Sequence, residues 1–494
     1  MQALIRRYEF LFRSTKGLVL LAIAMIALTT AILGTISGPM AELGIRDISI
    51  RILGLQLDPA QREGRIIMLY HTIAMAVVAL VTYLITRSVP MKPRQQSTIN
   101  AIITVGYLTA MIFGLWFAYW GLNWVFHGLF IVGQSLIFFA GLMLAAALWP
   151  WRKEYHIKDR QYAHWGNIDL ERVAFFVMAV AMLGSALFGA VAGANFGNGF
   201  ESFLAEDVIR EPYKTPFQLA IIGHLHIMLT LIAVALALLV GRWFDFKGIL
   251  HKFSMPLMIV GTIVITLGVW AVVPFEPIAH MIIYGGSTLI LLAALLLVIY
   301  GIDKLIKDRL AEVGTPKAGF LAKIRALLHD PLKFGSLWQM IFMNFNVSFV
   351  GIFVAVKLDE IFRVWPARDE RTILTGHWHV LAGIIATIIL FYYADMAGLR
   401  GRLRQWFGWI VIIFSNVAFA SATIFEMKRL FVSEAGQGLV VDVTMLLVDI
   451  GLATVLVALA AVLVWRLIDL FRKDGRWKKE FQQTAMPELE GEAQ

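Results

Sequence analysis

Two His-x-His pairs, His224/His226 and His377/His379, stand out in a chain of 494 residues with eleven histidines. Random placement of that many histidines would give about 0.2 such pairs. Two residues along an α-helix is a rotation of about 200°, so the two imidazoles leave on nearly opposite sides and cannot chelate one ion together. Such a helix suits insertion between two cofactors, each taking one axial ligand. The chain has no cysteine, which excludes disulfides, thiolate-held iron–sulfur clusters, c-type haem attachment and cysteine zinc sites. Neutral imidazole then points to haem iron of the b or a type, whereas an i, i+4 pair would have suggested zinc. For any one histidine taken alone, the plain alternative is an interior side chain bonded to a carbonyl.

The histidines also recur at a fixed interval. His71, His224 and His377 are spaced by 153 and 153 residues, and His127 and His280 again by 153. The surrounding text agrees: Gly223-His224-Leu225-His226 matches Gly376-His377-Trp378-His379, and Gly133-Gln134-Ser135-Leu136 matches Gly286-Ser287-Thr288-Leu289. In a third unit Gly451 takes the glycine position, which puts Met445 where the other two have histidine. A repeated unit of this length implies a repeated architecture.

The elements that must position these residues are membrane helices. Hydrophobic residues make up 59% of the chain and charged residues only 16%, more apolar surface than a soluble domain can hide. Twelve apolar stretches have the length to cross a bilayer: 17–37, 66–87, 99–120, 127–149, 172–195, 217–241, 254–274, 278–302, 335–356, 374–395, 404–425 and 443–468. The expected fold is therefore an all-α polytopic membrane protein, one transmembrane domain of three four-helix units over 17–149, 172–302 and 335–468, with spans 2, 6 and 10 equivalent. Basic residues gather at the N-terminus (Arg6, Arg7, Arg13, Lys16), after every even-numbered span and in the tail 470–494 (Arg472, Lys473, Arg476, Lys478, Lys479). The positive-inside rule makes both termini cytoplasmic. The net charge of +9 then reads as topology rather than as a nucleic-acid partner. The cytoplasmic segment 303–334 carries a basic amphipathic run, Leu305 to Leu328, readable as a solvated connector or as a helix on the inner membrane surface.

Twelve spans in three groups, with a histidine in span 2, Gly-His opening span 6 and Gly-His-Trp-His opening span 10, resemble subunit I of the haem-copper oxidase and nitric oxide reductase superfamily. The resemblance covers nearly the whole chain and is most specific over 375–399. It implies that His71 and His379 are the axial pair of a low-spin haem and that His377 is the proximal ligand of a second haem. It places Lys428 and Arg429, with Arg371 as a further candidate, on haem propionates. Gly376, Gly383, Ala386, Phe345 and Trp378 could line a macrocycle, a stripe that equally suits helix packing. It also implies the cytoplasmic membrane of a prokaryote.

The departures from that family are as informative. Where it holds copper or non-haem iron with a histidine pair near the end of span 7, this chain has Val272 and Val273, and valine cannot bind a metal. Met228 stands at the cross-linking tyrosine position, Ser287 and Thr288 where many members keep a lysine, and 88–98 contains no acid. Copper is thus expected to be absent and the second haem to be held by His377 with His226, or with His224 as the alternative ligand. His127 and His280, near Trp120, Trp124 and Phe275, leave open a quinol ring, haem propionates, an extra metal or ordered water.

The function expected is that of a dihaem cytochrome b passing electrons between the quinone pool and a partner in a respiratory complex, with outer loops 38–65, 196–216 and 357–373 as docking candidates for other membrane or periplasmic subunits. The alternative is a terminal reductase of oxygen or nitric oxide with an unusual second metal built from His224, His226 or His280. A third class, a cofactor-free transporter with proton-relay histidines, would purify without colour.

Overall fold

The computed structural model describes residues 11–13, 18–37, 44–56, 62–121, 123–195, 214–315 and 318–472. The bases Arg6, Arg7, Lys16, Lys473, Arg476, Lys478 and Lys479, much of the outer loops 38–65 and 196–216, and the Phe345 side chain lie outside the described residues.

The protein is mostly helical and polytopic, and among the described residues ten helical segments are long and apolar enough to cross a membrane. In chain order the elements are α1 (Leu18–Ser37), α2 (Ile45–Leu53), α3 (Arg62–Ser88), α4 (Pro93–Trp120), α5 (Trp124–Leu148), the hairpin β1 (His164–Trp165) and β2 (Ile168–Asp169), α6 (Leu170–Asn195) and α7 (Pro216–Trp243). Then follow α8 (Ile249–Glu312), α9 (Phe320–Leu327), α10 (Pro331–Phe342), α11 (Phe349–Val356), α12 (Ala367–Met396), α13 (Gly401–Met427) and α14 (Gln437–Phe471).

Two expected spans differ from the rest. The first is a helix whose apolar core, Val19–Gly34, is shorter than the others. The ninth is broken: α10 and α11 are separated by a π-helical stretch, Met343–Ser348, and a second π stretch, Leu358–Phe362, follows. Such π stretches leave i→i−4 bonding locally, a feature often found at functional sites. Spans 7 and 8 run together as α8 across a kink at Phe275 (φ −144°, ψ 55°). Pro274 and Pro277 flank it, each removing a backbone donor from the ladder.

Helix starts follow local chemistry. Thr215 and Gln218 form a capping box ahead of α7, with Pro216 in the first turn, which satisfies N–H groups that the helix leaves open. Asp330 caps α10 by accepting from Leu332 and Lys333, and the same carboxylate accepts from Arg404 at 3.0 and 2.8 Å. The expected connector 303–334 begins as the last turns of α8, laced by Lys307–Asp303 (2.7 Å), Lys304–Asp308 (3.1 Å) and Arg309–Glu312 (3.0 Å) pairs. Further along it, the short α9 presents an exposed apolar edge at Phe320 and Leu321.

The described contacts divide into two compact units: residues 1–148 with 393–399 and 456–494, and residues 149–392 with 400–455. Within the first, Tyr107 donates to the Ile23 carbonyl (3.2 Å), and Thr86 donates to the Asn100 side chain (2.9 Å). Within the second, the segment after α5 folds over the α7–α8 turn. Gly248 N–H donates to the Gln161 carbonyl (2.7 Å), Ala163 N–H donates to Nδ1 of the fully buried His251 (2.8 Å), and Tyr162 donates to Asp245 (2.5 Å). Glu171 and Arg242 pair beneath it at 3.1 Å.

Three glycines mark places where one helical segment meets the backbone of another. A Cβ on Gly133 of α5 would collide with the backbone of Ala110 in α4. One on Gly286 would lie 2.5 Å from the Ile265 nitrogen, across the kink of α8. One on Gly451 of α14 would lie 2.6 Å from the Phe414 carbonyl of α13. Between helices in lipid, packing rather than the hydrophobic effect holds the pair, and small residues permit it. Gly133→Ala and Gly286→Ala should each cost about 1–3 kcal/mol by overpacking, seen as a lower thermal midpoint in detergent. Gly128→Ala and Gly285→Ala, with nothing within 4 Å of the added methyl, should leave that midpoint nearly unchanged.

Candidate functional site

The second unit contains both His-x-His pairs, on α7 and α12. On α7, His224 and His226 leave in different directions. His224 turns to α6, where its Nδ1 meets the Ser185 carbonyl at 2.8 Å. Its ring lies where a Cβ on Gly189 would be. His226 turns to α12, its ring meeting that of Trp378 edge to face at 4.7 Å and 88°. Its Nδ1 reaches back to the carbonyl of Ile222, one turn earlier, at 2.9 Å.

His377 does the same on α12, its Nδ1 facing the Ile373 carbonyl at 3.4 Å. The other edge of that ring looks at α11, where a Cβ built on Gly351 would stand 3.5 Å from Nε2. Trp378 contacts both His226 and His377, its ring centroid 5.6 Å from that of His377, with its indole N–H buried and, among the described residues, without a hydrogen-bond partner. His280 and His377 both lie within electrostatic reach of His226.

These bonds decide which nitrogen is available. A carbonyl oxygen only accepts, so Nδ1 must carry the proton in His224, His226 and His377. In the neutral imidazole, Nε2 then holds the lone pair a metal needs, and a carbonyl on the other nitrogen is the usual means of fixing that tautomer. His251 shows the reverse arrangement. There Nδ1 accepts from Ala163, so in the neutral ring Nε2 bears the hydrogen and is no ligand.

The remaining sequence candidates fall as follows. His71 on α3 belongs to the first unit, half-buried, with its ring edge-on to Phe130 at 6.5 Å. His379 belongs to the second unit and is exposed. His127 is buried between Phe117 (5.9 Å) and Trp124 (5.6 Å), whereas its counterpart His280 is exposed. Val272 is buried against Leu219 and Ala279, with Val273 beside it, so the place of the family's histidine pair is apolar here. Thr288 spends its hydroxyl on the Tyr284 carbonyl at 2.8 Å. Among the described residues, no three His, Asp or Glu side chains converge as a metal-ion set. A haem needs no such set, since its macrocycle supplies four of the iron's ligands and the protein one or two.

Two acids are important here that the sequence did not single out. Asp369, in the first turn of α12, accepts from Lys428 Nζ at 2.9 Å and from Arg429 Nε at 2.5 Å. The basic pair is thus held in place by a carboxylate, with Lys428 only 5% exposed and set over Phe425. Arg371 is half-buried. The second acid, Glu426, is also 5% exposed. Its carboxyl fills the notch left by the missing Cβ of Gly376, the residue before His377. The signals were weak: Asp369 sits in a loop of mixed charge, and Glu426 lies one residue beyond the expected span 404–425.

Comparisons of the chain with protein-family models, with curated proteins and with solved structures return no match.

Asp369→Asn should leave two largely buried cations without their shared counter-ion, a loss of roughly 3 kcal/mol. Thermal unfolding in detergent reads it, with the exposed Glu434→Gln as a control that leaves the midpoint in place.

Proposed function

We propose that the chain is a dihaem b-type membrane cytochrome, a divergent relative of haem-copper oxidase subunit I that passes electrons between the quinone pool and a partner protein in a respiratory oxidoreductase complex. The observation that carries this reading is the tautomer of His226 and His377: each gives its Nδ1 hydrogen to a backbone carbonyl and so keeps Nε2 for iron. In this reading His71 and His379 hold a low-spin haem, and His377 with His226 holds the second. His224, turned to Ser185, remains the alternative ligand. Lys428, Arg429 and Arg371 receive the propionates, and His127 and His280 are the candidates for a quinone contact.

Twelve spans in three units belong to the same proposal. Gly133, Gly286 and Gly451 support it, since each is pressed onto the backbone of the helical segment before it. The basic inner segments support cytoplasmic termini in a prokaryotic cell membrane.

When bound, haem supplies a reversible one-electron couple. The chain's own residues do the rest. The carbonyl bonds orient the imidazoles, Trp378 packs its indole against both His226 and His377, and Val272 with Leu219 and Ala279 fills with hydrocarbon a place where a ligand set would otherwise admit water. Copper has no such site in this proposal.

Optical and EPR spectra of the purified protein, with and without carbon monoxide, test it. Two low-spin bis-histidine signals that ignore carbon monoxide are expected. His71→Ala and His379→Ala should each abolish one, and His377→Ala the other. A high-spin haem that binds carbon monoxide, together with copper or non-haem iron, would sink the electron-transfer reading in favour of a terminal gas reductase.

A further inference from the structure

Glu426 is a buried acid that the proposed ligand sets leave unused. It sits in the last turn of α13, 5% exposed, and its Oε2 is buried and, among the described residues, has no hydrogen-bond partner. Its Cδ and Oε1 occupy the volume that a side chain on Gly376 would fill. The carboxyl therefore lies directly on the backbone of α12, at the start of the Gly-His-Trp-His segment.

The neighbouring charges are matched elsewhere. On its own helix end, Lys428 and Arg429 both bind Asp369. On α12 the titratable and charged groups are Arg368, which is exposed, Asp369, Glu370, Arg371, His377 and His379, with Tyr392, Tyr393 and Asp395 at the far end of the helix. Glu370 lies 3.8 Å from Arg363 of the preceding segment, and Arg371 and His379 have partners of their own. Among the described residues, no cation forms an ion pair with Glu426. Apolar side chains close the same region, with Met427 packed on Ile373, Leu374 and Phe362.

An ionised carboxylate without a partner is costly in such surroundings, and a positive charge close by, which an oxidised iron would supply and a reduced one would not, is what offsets that cost. An electron added nearby in a low-dielectric medium is costly for the same reason, unless a positive charge arrives with it. We propose that Glu426 is the proton acceptor that balances the arrival of an electron at the haem held by α12. This rests on the dihaem reading above. With haem bound, uptake of one electron from a one-electron reductant would be matched by one proton from the surrounding water, which would form an O–H bond on the Glu426 carboxylate; on reoxidation that O–H bond would break and the proton would return to water. Gly376 is the residue that lets the carboxyl approach the helix bearing the ligands.

Redox titration of the purified protein against pH tests this. One haem is expected to lower its midpoint as pH rises, by about 59 mV for each tenfold fall in proton concentration when one proton accompanies one electron. Glu426→Gln, which keeps shape and removes the titrating group, should flatten that slope while both haem spectra persist, and Glu426→Asp should restore part of it. The infrared difference between reduced and oxidised wild-type protein should contain a carboxylic C=O band that is lost in the glutamine variant. A slope unchanged in Glu426→Gln with both haems retained overturns the proposal alone. So does a wild-type spectrum with no carboxylic change, which covers the case of a variant that fails to fold. A preparation without haem overturns the dihaem reading and this inference together.

Discussion

In a chain this apolar, a polar group placed among the helices can find a partner only inside the protein, because hydrocarbon offers none. The helices satisfy their own backbones, and what remains is to bring them together without a hydrophobic drive between them. Glycine does that at the contacts where backbone meets backbone: Gly133 on Ala110, Gly286 on Ile265 and Gly451 on Phe414. The same device then reappears with side chains in the notch. His224 lies over Gly189, the Trp270 indole over Gly184, and the Glu426 carboxyl over Gly376. A small residue on one helix thereby selects which bulky or polar group of the next helix is admitted, and at what depth.

The histidines obey the same constraint. An imidazole in hydrocarbon needs a partner for its N–H, and the nearest acceptor is a carbonyl of its own helix one turn back or of the helix alongside. His226 and His377 take the first solution and His224 the second. A purely structural histidine would make the same bond. What sets His226 and His377 apart is their placement: both rings pack against the one Trp378 indole. A structural role would be served equally well by the His251 arrangement, in which Nδ1 is consumed as an acceptor within a packed aromatic pocket.

Much of this was legible in the sequence because periodicity and spacing report it directly. The helical class followed from composition, and the divergent directions of His224 and His226 from two residues of helical rotation. The break at Phe275 was foreshadowed by Pro274 and Pro277, and the two spans on either side of it pack against each other, with Gly261 on Ile290, Gly268 on Ile283 and Gly286 on Ile265. Less legible were features set by tertiary contact. The break of the ninth span into π-helical turns has no proline to announce it. The hairpin at 164–169 is four residues of strand that only its packing over the α7–α8 turn makes meaningful. Lys428 and Arg429 were visible as a basic pair, but their carboxylate, Asp369, is 59 and 60 residues away in the chain, and no local pattern links them.

Asp369 and Glu426 show why residue type alone does not assign a role to an intramembrane acid. They lie at neighbouring ends of α12 and α13, one meeting two cations, the other meeting a glycine and, among the described residues, no cation. The first is a fixed counter-charge: its energy depends on keeping Lys428 and Arg429 in place, and a proton added to it would strand both. The second has no such obligation, so its charge can change without breaking a pair. An electron-transfer site in hydrocarbon benefits from both kinds of acid, one to hold the basic groups that meet the cofactor's carboxylates and one to absorb the change of charge on each turnover. The division follows from what each carboxyl touches, and the missing Cβ of Gly376 is what gives Glu426 its place.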